Sequence, residues 1–145
     1  MSAPERMPPA RPALLIMLVA ALLAVAAVTL TPEGSGWAWG SPAEELVWYA
    51  GGLASEATML QLVGNVGLLV VPAALAVVLW PGLGRPARLV GAAVATGAGI
   101  EVLQLTLSLG RVVSPLDAAL NATGAVLAGL LVASVDRMAR AIRTA

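Results

Sequence analysis

LVGAAVATGAGIEVLQLTLSL, running from Leu89 to Leu109, is the stretch that decides how this chain is read. It is long enough to cross a bilayer, which takes about 20 apolar residues in a helix, yet Glu101 stands inside it. A carboxyl at that depth is costly, so it faces a protein interior or a water-filled cavity and marks a functional or structural centre. Gln104 follows three residues later, on the same helix face. Just beyond the stretch comes Gly110-Arg111-Val112-Val113-Ser114-Pro115-Leu116-Asp117, and then Asn121 in a further apolar run.

Composition agrees with a membrane setting. Of 145 residues, 59% are hydrophobic and 11% charged, and the mean hydropathy is +0.91. Soluble domains average about a quarter charged residues, so this chain cannot cover a water-facing surface. The formal charge is zero, with eight arginines and no lysine. No basic field for nucleic acid exists. Cysteine and histidine are absent, which removes disulfides, thiolate metal sites and Ser-His-Asp or Cys-His catalysis. No metal or other cofactor is expected.

Four segments qualify as spans: residues 13–30, 60–80, 89–109 and 115–135. The fold expected is an all-α integral membrane bundle of four transmembrane helices, forming one domain over residues 1–145, with an interfacial segment between the first two. Arg6 and Arg11 precede the first span, Arg85 and Arg88 lie between the second and third, and Arg137, Arg140 and Arg143 follow the fourth. The positive-inside rule makes that side, and both termini, cytoplasmic. Arg111 alone falls on the outer side. A cleaved signal peptide usually has an apolar core of about 7–15 residues; the first run exceeds that, so retention is expected.

Local signals refine the picture. Trp37, Trp39, Trp48, Tyr49 and Trp80 fall in or beside loops, as interface anchors do. Residues 42–55 suit a short interfacial helix. Pro72 is expected to kink the second span, and Ser114-Pro115-Leu116-Asp117 reads as a capped helix start. Gly91, Ala95 and Gly99 form one small-residue face, Gly124 and Ala128 another.

The polar groups gather at one depth. At about 1.5 Å per residue, Asn65, Glu101, Gln104 and Asn121 all fall in the outer half of the bilayer, beneath the loop carrying Arg111. The expectation is a pocket open outward, with Asn65, Glu101, Gln104, Arg111, Asp117 and Asn121 as its binding residues and Glu101 as the candidate for any catalysis. Glu101 would be either neutral and hydrogen-bonded or ionised beside Arg111. The blander alternatives are interhelical bonds for the amides, a cap for Asp117 and lipid-headgroup contact for Arg111.

Asn65-Val66-Gly67-Leu68 leading to Pro72, Ile100-Glu101-Val102-Leu103-Gln104, and Gly110-Arg111 with Asp117, Asn121 and Gly124 together resemble the VanZ-like family of small bacterial membrane proteins. Ser114 stands where that family usually has an Asp, and Ala73 where it has Gly. The resemblance implies a multi-pass protein of the bacterial cytoplasmic membrane and cell envelope, linked through the family's name to teicoplanin-type antibiotic resistance.

Three functions compete. The leading expectation is a non-enzymatic protein whose pocket takes a lipid headgroup or lipid-linked cell-wall component, affecting glycopeptide susceptibility. The second is a membrane-embedded enzyme modifying such a lipid, with Glu101 as general acid or base. The third is a small transporter or assembly partner, for which four short helices would need to form a homo-oligomer.

Overall fold

The structure, a computed structural model, describes residues 10–144. Arg6, used above for orientation, lies outside the described residues. Helix α1 spans Ala10–Leu30, followed by strand β1 (Gly36–Trp39) and helices α2 (Pro42–Gly52), α3 (Glu56–Leu68) and α4 (Val70–Leu79). A 3-10 turn at Pro81–Gly84 leads into α5 (Pro86–Leu107), strand β2 (Leu109–Val113) and α6 (Pro115–Thr144).

Among the described residues four helical spans are long and apolar enough to cross a membrane: α1, the combined α3–α4 unit Glu56–Leu79, α5 and α6, with mean hydropathies of 2.9, 2.4, 1.5 and 1.8. Only 11% to 33% of their most apolar windows is buried within the protein. Side chains such as Leu23, Leu60, Leu127 and Leu131 stand bare. Apolar surface on that scale needs a hydrocarbon solvent. The protein is an all-α membrane bundle.

The second span breaks for a local reason. Pro72 has no N–H to donate to the carbonyl four residues back, and Leu69 leaves helical geometry at φ −100°, ψ 4°. Prolines also occupy the first turns of α2 and α5, where a missing N–H costs nothing. Hydroxyls of Thr29, Thr96, Thr106 and Thr123 bond back to carbonyls four residues earlier, which keeps them satisfied without water.

Helix packing partly departs from the sequence reading. Gly124 does lie against the backbone of Val66, where any Cβ would overlap the carbonyl. On α5, however, the close approach is made by Gly97, whose Cβ would stand 2.6 Å from the Ala118 carbonyl. Gly91 and Gly99 meet nothing within 4 Å. The buried face of α5 runs through Leu89, Ala93, Gly97, Ile100, Glu101 and Gln104, so the polar pair itself selects which face turns inward. A core of Leu69, Ala93, Ile100, Ala122 and Ala125 fills the middle of the bundle.

Strands β1 and β2 form a parallel pair that the sequence reading lacks. Glu33 and Gly34 N–H groups donate to the Leu109 carbonyl, and Gly40 N–H to that of Val113. The crossing is tight enough to require glycine at 110, which has φ +73° and where a Cβ would meet the Gly34 backbone. This pair ties the C-terminal end of α1 to the start of α6. Trp37, Trp39, Trp48 and Trp80 are exposed as expected of interface anchors, but Tyr49 is buried. Helix α6 also runs nine residues past the expected Val135, as an amphipathic extension with Met138 and Ile142 exposed beside Arg137, Arg140 and Arg143.

Candidate functional site

The site is organised around the first turn of α6. Ser114 is fully buried. Its Oγ accepts the N–H groups of Leu116 and Asp117, both at 3.1 Å, as an N-cap does. In a capping box the acid three residues on would reach back to the Ser114 N–H. Here Glu101 does so instead, accepting it on Oε2 at 2.7 Å. The Ser114 hydroxyl donates in turn to Glu45 Oε2 at 2.6 Å. Glu101 is therefore hydrogen-bonded to backbone, not set beside Arg111.

Freed from capping, the Asp117 carboxyl points toward α3. Its Oδ1 accepts from Asn65 Nδ2 at 2.6 Å and, through a long contact of 3.4 Å, from the Tyr49 hydroxyl. Burial first, and the neighbouring Asp117 charge second, push the Tyr49 phenol above its ordinary value of 10.0. It stays a neutral donor. A Cβ at Gly40 would displace the Glu45 carboxylate from its place beside Ser114.

Arg111 has a different task from the one its position suggested. Its Nε donates to the Thr31 carbonyl at 3.2 Å and its Nη2 to that of Val28 at 2.9 Å. Nη2 also pairs with Glu33 at 2.8 Å. A helix leaves its last carbonyls without partners and carries partial negative charge there, and the guanidinium closes the end of α1 on both counts. Gln104 Nε2 reaches the same helix end, donating to the Thr29 carbonyl at 3.0 Å.

These groups surround one cavity of about 420 Å³. All six residues expected from the sequence line it: Asn65, Glu101, Gln104, Arg111, Asp117 and Asn121. Gln61, Thr29 and Glu33 add to its wall. Asn121 is 2% exposed, and among the described residues its Oδ1 has no hydrogen-bond partner. A buried amide oxygen left wholly without a partner would cost about 1–3 kcal/mol, so a hydrogen-bond donor, from water or a ligand, belongs beside it. Sequence reasoning missed Glu45, Tyr49 and Gln61. Glu45 and Tyr49 lie one turn apart on α2, and that shared face was the one available signal.

Chemically, the cavity offers carboxyl and amide oxygens beside apolar side chains such as Val28, Leu68 and Ile100, which suits a ligand that donates hydrogen bonds. No curated protein and no solved structure matches the chain. The VanZ/LLP1 family matches it over residues 14–136. That range takes in every residue lining the cavity, and the chain belongs to this family.

Proposed function

We propose that the protein is a non-enzymatic component of the bacterial cell envelope whose cavity binds a lipid headgroup or a lipid-linked wall component. The observation that carries this reading is the cavity of about 420 Å³ with the unpartnered, buried Asn121 amide in its wall. Its position between spans, at the end of the bundle bearing the strands, suits a molecule that is itself held at the membrane surface. Arg85, Arg88, Arg137, Arg140 and Arg143 belong to the other end, which supports an orientation with the cavity outside and that end in the cytoplasm. Sequestering such a lipid would change how a lipoglycopeptide reaches its target, in line with the family's association with teicoplanin resistance.

The test is the lipid complement retained on purification. Wild-type protein should carry an enriched lipid that Asn121→Leu protein lacks at equal membrane abundance. Identical lipid profiles would end the binding reading. A second reading, an enzyme acting on such a lipid, draws support from Glu101 and Asp117 lining the same cavity. Conversion of the retained lipid by wild-type protein, lost in Glu101→Gln, would favour it.

A further inference from the structure

The charge of the cavity says what kind of headgroup it suits. Glu101 and Asp117 line it, and Glu45 lies directly behind, hydrogen-bonded to Ser114. Among the described residues the one cation in the wall, Arg111, is already engaged by Glu33 and by two carbonyls at the end of α1. A phosphate entering here would meet carboxylates with no free cation to offset them. A neutral sugar would satisfy hydrogen bonds and leave the two carboxyls without a counter-charge.

The open valences point the same way. Glu101 uses Oε2 for Ser114 and Asp117 uses Oδ1 for Asn65 and Tyr49. Those are the only side-chain hydrogen bonds of the two carboxyls among the described residues, and Asn121 Oδ1 accepts none. Nor do the described residues hold any group of three or more acidic side chains that could hold a metal ion. A cation that fits must bring its own directional N–H donors.

A second cavity adds a chain to that head. About 190 Å³ of almost wholly apolar space lies further along α1 and α5, with α4 as its third wall, lined by Leu22, Ala73, Ala92 and Thr96 among others. Thr96 is one helical turn from Ile100, which borders the polar cavity. Small side chains on α4 and α5, among them Ala73, Ala76, Ala92 and Ala93, leave this space open beside α1. From these observations we infer that the site takes an amphiphile bearing a protonated amine, with its amine in the polar cavity and its hydrocarbon chain along the apolar seam.

This rests on the lipid-binding reading and narrows it, and the experiment separates the two. Protein purified in a neutral maltoside detergent is titrated with dodecylamine, dodecyl phosphate, dodecanol or ethylamine, and followed by thermal melting and native mass spectrometry. Dodecylamine should bind saturably at one site and raise the melting temperature more than the other three. Asp117→Asn and Glu101→Gln should each weaken it on the order of tenfold, the loss of one charge-assisted contact. Ala92→Leu, which fills the seam from an exposed position, should weaken dodecylamine and leave the feeble ethylamine response unchanged. Dodecyl phosphate binding as well as dodecylamine overturns the amine assignment while sparing the headgroup site. Ethylamine binding as well as dodecylamine overturns the chain. Failure of all four compounds overturns both this inference and the lipid-binding reading.

Discussion

Asn121 carries a tension between stability and use. Its amide oxygen has no partner among the described residues, and leucine has the same branched outline of side-chain heavy atoms. Asn121→Leu should therefore stabilise the ligand-free protein by about 1 kcal/mol, seen as a higher melting temperature, while removing the retained lipid. Ser114→Ala should act the other way, costing about 1–2 kcal/mol through the lost cap and releasing Glu45. Tyr49 makes an unusual pH probe, because the chain has one tyrosine and no lysine, cysteine or histidine. The folded protein holds the phenol proton to higher pH than the unfolded chain does. That stabilisation is complete below the ordinary value of 10.0 and is lost as pH rises through the raised folded value. Melting temperature should fall as pH rises from the ordinary value of 10.0 toward the raised one in wild type and stay flatter in Tyr49→Phe.

Elements were legible to the degree that their signals are local. Four spans, the Pro72 break and the Ser114 cap all follow from short-range pattern, and the structure has each. The strand pair was not legible, since Gly36–Trp39 and Leu109–Val113 lack alternation and find each other only through the bundle. The same limit hid Glu45 and Tyr49, whose partners Ser114 and Asp117 lie 69 and 68 residues away. Arg111 was visible and its setting was not, because nothing local foretells that α1 ends beside it. Which small-residue face of α5 packs inward was decided by Glu101 and Gln104 rather than by glycine spacing. A paired substitution checks this. Gly124→Val, driven into the Val66 backbone, should cost about 3 kcal/mol, whereas Gly91→Ala should be neutral or stabilising by up to about 1 kcal/mol, both read from thermal melts in detergent.

For the whole molecule, the absence of cysteine makes topology directly measurable. A single cysteine at Ser35 should react with a membrane-impermeant maleimide in intact cells, and one at Gly82 only after permeabilisation. The reverse pattern would turn the cavity toward the cytoplasm. Biogenesis follows from the way α1 is fastened. Its closing contacts come from Gln104 and Arg111, between 75 and 83 residues further along the chain. While the ribosome is still making that later part, the first span waits in lipid without those partners. A segment in that position has to be content with acyl chains alone, and α1 is the most apolar of the four spans.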